Sequence, residues 1–386
     1  MAHARHATEP AALALRVVDD LAQVPAAQWN ELAGANPFLR HELFRALHET
    51  GCAAERTGWL PQFITLWEGA RLKGALPLYL KSHSYGEYVF DWAWADAYHR
   101  HGLAYYPKLL SAVPFSPVTG ARALAPDAAV RRQLVAAALE LARDASSLHI
   151  LFPPEAEALE LERCGMMLRR AVQFHWRNRG YRSFDEFVGT LTHDKRKKIK
   201  QERRKVRDAG VTYRWKVGPE IAREDWRFFT RCYHLTYRAH LASPYLNFEF
   251  FARLGEVLPE HVLLVLAERD GRPVASALNV FAPAALYGRY WGTTQYLPGL
   301  HFETCYYQAL EFCIERGIGV FEGGAQGAHK LARGFLPEQT WSAHWLRHPQ
   351  FADAIEKFLA RESAGVAQYI DELADHSPFR TEGEDA

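Results

Sequence analysis

Between residues 321 and 337 the chain reads Phe-Glu-Gly-Gly-Ala-Gln-Gly-Ala-His-Lys-Leu-Ala-Arg-Gly-Phe-Leu-Pro, bringing glycines, a carboxylate and three cationic or titratable side chains into one short stretch. Gly323, Gly324 and Gly327 permit backbone conformations and close approaches that a side chain forbids. His329, Lys330 and Arg333 follow at once. On a helix, residues three and four apart share a face, so the three would project together. His329 is a candidate base, because imidazole is the side chain whose ordinary pKa lies near neutrality; it could equally orient Lys330 or bond a backbone carbonyl. Lys330 and Arg333 suit a phosphate or carboxylate, the lysine as a point charge and the arginine as a bidentate fork. A solvated first helical turn is the plainer alternative for both. Glu322 is either a further candidate base or a cap on the following helix. A helix N-terminus behind a glycine turn also offers free N–H groups to an anion. The stretch reads as a substrate-anchoring site at the C-terminal end of a strand.

What must position these residues is a repeated unit. Residues 63–68 end in Glu and pass through a Gly-containing turn into 75–80; residues 263–268 end in Glu and pass through Arg-Asp-Gly-Arg-Pro into 274–279. Each is the signature of a β-hairpin. A third, aromatic strand is expected in both copies, at 88–94 and 286–291, followed by a loop and a long helix at 127–144 and 302–316. Each helix feeds a short strand, 149–152 and 320–321. Helical segments precede each hairpin, at 26–32 and 40–50 and again at 224–240 and 248–258. The expected fold is α/β in the α+β manner, with a mixed sheet in each half. Between the halves, 184–209 reads as a basic helical segment whose thin apolar stripe, Phe187, Leu191, Ile199 and Val206, can dock one side. Gly210 stops it. Residues 195–207 hold nine Lys or Arg against one acid, Glu202. Arg196, Lys200, Arg203 and Arg207 follow one face, a positive strip available to RNA or another anion unless solvent alone surrounds it.

The 386 residues exceed what one hydrophobic core usually serves. Two domains are expected, 1–175 and 176–386, with the basic segment and the cleft in the second. A hydrophobic content of 48% and a charged content of 24% describe an ordinary soluble globular protein. The net charge of +1 exerts no global pull toward nucleic acid or membrane, so any basic surface is local. Five scattered cysteines without a CxxC pair argue against a disulfide scaffold or a zinc site. The first residues lack the apolar core of a signal peptide, and no run approaches the roughly 18–20 apolar residues that span a bilayer. A cytoplasmic protein without a transmembrane segment is expected. No metal is expected either, since the histidines show no ligand spacing. Hydrolase, NTPase and dehydrogenase signatures are missing.

Several stretches together resemble a known family: the doubled unit, residues 174–178 (Phe-His-Trp-Arg-Asn), and the run 193–204 (His-Asp-Lys-Arg-Lys-Lys-Ile-Lys-Gln-Glu-Arg-Arg). The closing motif adds Gly317, Phe321, Gly323, Gly324, Lys330, Gly334, Phe335 and Pro337. They resemble the bacterial FemAB-like group of predicted N-acyltransferases, described as peptidoglycan biosynthesis or recognition proteins, over most of the chain. The resemblance implies tandem GNAT-like (Gcn5-related N-acetyltransferase) modules with a basic helical insertion and acyl transfer to an amine. In Fem enzymes the donor is an aminoacyl-tRNA and the acceptor a peptidoglycan precursor. The coenzyme A signature of ordinary GNAT enzymes, Gln/Arg-x-x-Gly-x-Gly/Ala, is missing here. Gln-Tyr-Leu-Pro-Gly-Leu-His-Phe stands at that place, 295–302. The donor is therefore open between acyl-CoA and aminoacyl-tRNA, and the acceptor between a small-molecule or peptide amine and a cell-envelope precursor.

Amide formation needs an acceptor amine freed of its proton and a stabilised tetrahedral oxyanion. His329, Lys330 and Glu322 are the candidate catalytic residues and Arg333 a candidate substrate contact. Tyr290, Trp291 and Glu303 flank the expected cleft mouth. Trp92 and Asp96 in the first half and His175 at the junction are further candidate contacts, with aromatic burial the plainer account of the aromatic side chains. Fem enzymes are thought to meet tRNA at the joint between the halves, which makes tRNA a candidate partner of the basic segment. Two rival readings remain: an acetyl-CoA-dependent acetyltransferase, and a non-catalytic binder of a glycan precursor or RNA.

Overall fold

The computed structural model describes residues 13–325 and 327–380. In the first half, β1 (Leu13–Val18) is followed by β2 (Trp59–Pro61) and β3 (Phe63–Glu68), which form one bent strand. The chain returns as β4 (Arg71–Leu76) and β5 (Tyr79–Lys81), again one strand interrupted, here at Pro77, which has no N–H to donate to a ladder. The hairpin thus has its turn end in a three-stranded sheet, β1-β3-β4, and its base in an eleven-stranded sheet. β5 pairs antiparallel with β6 (Lys108–Ser111), and β6 runs parallel to β7 (Ser147–Leu151) after helix Ala128–Leu141.

Strand β8 (Met167–Arg177) leads into the second half, where the order recurs. β9 (Val211–Val217), β10 (Val262–Arg269), β11 (Arg272–Phe281) and β12 (Ala285–Thr293) are successively antiparallel, and β13 (Val320–Ala325) lies parallel to β12. Each half therefore lays down four antiparallel rungs and closes on a parallel pair, as the repeat in the sequence implied. The last strands cross over. β8 pairs with β13, β14 (Leu336–Leu346) pairs with β7, and β8 and β14 pair with each other, joining both halves in one sheet.

The helices expected before each hairpin form as Ala26–Ala33, His41–Glu49, Arg223–Ala239 and Phe248–Val257. They meet in one core shared by both halves, in which Phe38 packs edge-on against Tyr287 with ring centroids 5.2 Å apart. Each such buried large side chain contributes about 1.5–3 kcal/mol, so the halves are held by a continuous interior.

Two expectations are corrected. The aromatic stretch 88–94 is not a strand: Tyr88 has φ +64°, and Trp92–Arg100 is a helix. Tyr88, Phe90, Trp92 and Trp94 alternate like a strand, but Trp94 and Tyr98, four apart, share the buried helix face. The third strand of that half is β6. The basic segment also divides, into Phe184–Gly189 and His193–Asp208. Among the described residues no helix is long and apolar enough to cross a membrane.

Candidate active site

The parallel pairing of β12 with β13 extends only from Ala285–Tyr287 to Val320–Glu322. Beyond it β12 continues to Thr293, while β13 turns toward β8 and pairs Ala325 with Gln173. The strands splay apart, and glycines make the opening possible. A Cβ on Gly288 would lie 3.0 Å from the Phe321 ring, and one on Gly323 would lie 3.1 Å from Lys330 Cδ. Gly324 holds φ +80°, which favours glycine. The splay encloses a cavity of about 90 Å³ lined by Asn279, Arg289, Tyr290, Trp291, Cys305 and Tyr306, with Gly288 and Gly323 at its edges. A register shift between Leu278 and Asn279 makes Arg289 the extra residue of a bulge. Bulges re-aim a side chain and gather beside functional sites.

Glu322 stands on β13 between Tyr287 of β12 and His175 of β8. Burial pushes its carboxyl up to about 8; Arg289 and Arg122 pull the other way and Glu338 adds to the rise. Lys330 is 2% exposed, and its Nζ donates to Gly324 O at 3.0 Å. Burial, with Arg289 next in weight, lowers its ammonium to about 8. A carboxyl and an amine whose pKa values meet near 8 thus flank one glycine pair, an arrangement able to pass a proton near neutral pH. His175 is buried, and burial lowers its pKa to about 4, so the ring is neutral. Its Nε2 lies 3.2 Å from Gln173 Oε1, and Gln173 in turn donates to Pro117 O at 2.7 Å.

The three side chains of the closing motif do not project together. Ala328–Arg333 is a 3-10 helix, with three residues per turn, so Lys330 and Arg333 both face inward while His329 faces out. His329 Nε2 lies 3.2 Å from Tyr306 Oη. Burial first, then Lys330 and Arg333, lower its pKa. Arg333 is 2% exposed; it donates to both oxygens of Glu202 at 2.8 and 2.9 Å, to Tyr307 Oη at 3.1 Å and to His329 O at 2.8 Å. Its guanidinium carbon lies 3.3 Å from the Phe302 ring centroid. Arg333 therefore clamps the motif to the basic helix instead of facing the cavity.

Glu303, expected at the cleft mouth, is also turned to the basic helix. It accepts from Arg203 at 3.0–3.2 Å and from Gln308 at 2.8 Å. Tyr290 and Trp291 do line the cavity. Tyr290 Oη donates to Phe115 O of the first half at 2.6 Å, and the Trp291 ring stacks on His301 at 4.4 Å. Trp92 and Asp96 lie on an exposed first-half helix, Asp96 paired with Arg100 at 3.0 Å, and neither lines this cavity. On the basic helix, Arg203 also bonds Glu311 at 2.8–3.0 Å, so the positive strip is interrupted. Arg196, Lys200 and Arg207 line an open groove of about 1170 Å³ with Lys197 and Arg204.

Sequence reasoning missed Asn279, Arg289, Cys305 and Arg122. Arg122 comes from the first half, beyond any local pattern. The available signal was Gly288 inside a strand, since a strand glycine marks a bulge or a close approach.

A family model described as FemAB-like, peptidoglycan biosynthesis/recognition, matches residues 20–381. Among solved structures, FemX is similar with a TM-score of 0.55 at 12% identity, covering 86% of this chain and 98% of its own. The C-terminal domain of a putative lysylphosphatidylglycerol synthetase from Agrobacterium fabrum gives 0.54 at 9% identity, covering 88% and 95%. A conserved protein of unknown function from Bacteroides thetaiotaomicron gives 0.51 at 11%, covering 86% and 99%. At these identities the likeness is one of fold. The doubled unit, closing on a splayed parallel pair, is that of tandem GNAT-like modules. No curated protein matches the sequence.

Proposed function

Because the chain belongs to the FemAB-like family of peptidoglycan biosynthesis/recognition proteins, we propose that it is an N-acyltransferase whose active cleft is the splay between β12 and β13. Its halves, 1–175 and 176–386, act as a supporting and a catalytic module in the cytoplasm. The observation that carries the reading is the Glu322 carboxyl, raised by burial to about 8 beside a buried Lys330 lowered to about the same value. The acceptor amine gives its proton to Glu322 and attacks the acyl carbonyl of the donor. The new C–N bond leaves a tetrahedral oxyanion, and collapse breaks the ester or thioester bond. Lys330 is placed to stabilise the negative charge and to return a proton to the leaving oxygen or sulfur.

The donor that fits better is an aminoacyl-tRNA. The coenzyme A signature is missing at 295–302, and Arg196, Lys200 and Arg207 border an open groove on the same half. The acceptor is an amine of a peptidoglycan precursor.

The test is incubation with a UDP-linked muramyl pentapeptide and either pooled aminoacyl-tRNA or acetyl-CoA, read by mass spectrometry. An added aminoacyl mass that disappears in Glu322→Gln is expected. An added acetyl group selects the coenzyme A reading. No mass gain from either donor, with precursor binding retained, would make the protein a binder and overturn the proposal.

A further inference from the structure

The splay cavity is small and faces a hydrogen-bond donor that no protein group meets. Its volume of about 90 Å³ is about three times the roughly 30 Å³ share of one liquid water. It lies far under the roughly 300 Å³ at which pockets for whole ligands begin. Only the end of a substrate fits. Asn279, which lines it, is 1% exposed, and its Nδ2 has no hydrogen-bond partner among the described residues. A buried amide N–H left unmet costs the full desolvation of that group, and such groups are rare in native proteins.

The surrounding architecture keeps the space before this amide open. Asn279 pairs with Gly288 across β11 and β12 at the bulge. A Cβ on Gly288 would lie 3.6 Å from Asn279 Oδ1 and 3.0 Å from the Phe321 ring, closing the space between them. The remaining walls are largely apolar or neutral: Ala277, Cys305, Tyr306 and the His301 ring stacked on Trp291. The floor is strand and the roof is the helical run 300–316, so the volume is set by packed elements.

Resting on the acyltransferase reading above, we propose that this cavity receives the acyl head of the donor. Asn279 Nδ2 donates to a carbonyl oxygen of that head, and the site selects small acyl groups of roughly three to five non-hydrogen atoms. Acetyl, glycyl and alanyl heads have this size; leucyl and lysyl heads do not.

The experiment is isothermal titration of the full chain with stable amide analogues of the aminoacyl end. These are 3′-aminoacylamino-3′-deoxyadenosines carrying glycyl, alanyl, leucyl or lysyl heads, set against headless 3′-amino-3′-deoxyadenosine. A parallel arm compares acetyl-CoA and hexanoyl-CoA with free coenzyme A, and shows which carrier delivers the head. In the arm that binds, small heads should add at least tenfold in affinity over the headless compound, and large heads should add nothing. Asn279→Leu should remove that gain. Cys305→Ala, which widens one wall, should admit a larger head. Equal affinity across the heads, or tighter binding of leucyl, lysyl or hexanoyl, would overturn the size selection while the transferase reading stands on its own mass-gain assay. If no analogue in either arm binds and no donor supports transfer, both fall together.

Discussion

The two parallel pairs, β6 with β7 and β12 with β13, hold the same place in their halves and have opposite contents. In the first, Lys108 of β6 is fully buried and its Nζ donates to Glu87 and to Ser84, each at 2.7 Å, and to Asp91. Tyr105 donates to the same Asp91 oxygen at 2.7 Å. Burial works against the charged ammonium of Lys108, but Glu87 and Asp91 outweigh it and raise its pKa. His149 of β7 meets His344 of β14 through their Nδ1 atoms at 2.7 Å. Burial, with Lys108 next, lowers the His149 pKa to about 3, so its ring is neutral. Lys81 lies 3.7 Å above the Trp59 ring. Charge is thus taken inside and answered by a partner. In the second pair, glycines hold the strands apart. Arg289 Nε and Asn279 Nδ2 have no hydrogen-bond partner among the described residues, and Glu322 and Lys330 are held near the pH at which they exchange protons. One topology therefore serves two ends: paired buried charge stiffens the first half, and poised buried charge equips the second for chemistry.

The comparison breaks most visibly at its two key residues. Glu322→Gln should lower turnover roughly 10²–10⁴-fold, the range of a lost general base, with the fold retained by circular dichroism. A fully active variant would make the second splay as inert as the first. Lys108→Met should do the converse. It leaves Glu87 and Asp91 without their cation and should cost about 3–5 kcal/mol in denaturant unfolding, while turnover per folded molecule stays near wild type. Lost turnover at full stability would move the chemistry into the first half.

Smaller effects sharpen the contrast. Lys330→Ala should reduce turnover at least tenfold, about 1.4 kcal/mol in the barrier; near-normal turnover would leave Lys330 with a packing role alone. On the basic helix, replacing Arg196, Lys200 and Arg207 together by Gln should weaken tRNA binding measured by anisotropy. It should also flatten the dependence of log K on log salt by up to about three. Equal affinities and equal slopes would remove tRNA from that groove. Arg203 is best kept in this variant, because its removal strands the buried Glu303.

Much of this was legible locally. The hairpin 262–281, the glycine pair and the basic segment stand out because turn residues and charge runs act over a few positions. The bent first-half hairpin was half legible: Pro77 announces an interruption, but not that the two pieces enter different sheets. The helix Trp92–Arg100 was hidden by an aromatic alternation that mimics a strand. The roles of Arg333, Arg203 and Glu303 were out of reach, because Glu202 is 131 residues from Arg333, and Glu303 is 100 residues from Arg203. A cation's local spacing says that it can bind an anion; only the fold says that the anion is already in the chain.

The central claim, that a buried carboxyl in the second splay is the base of an acyl transfer, is tested most directly by the pH dependence of kcat for wild type and Glu322→Gln. Glu322 must lose its proton to act, so turnover should rise with pH toward about 8. Lys330 must keep its proton to stabilise charge, so turnover should fall again above about 8. The two apparent values belong to the coupled pair. The account predicts a narrow bell near pH 8 whose rising limb is lost in Glu322→Gln. A rising limb in the ordinary carboxylate range, or a profile unchanged by the substitution, would contradict it.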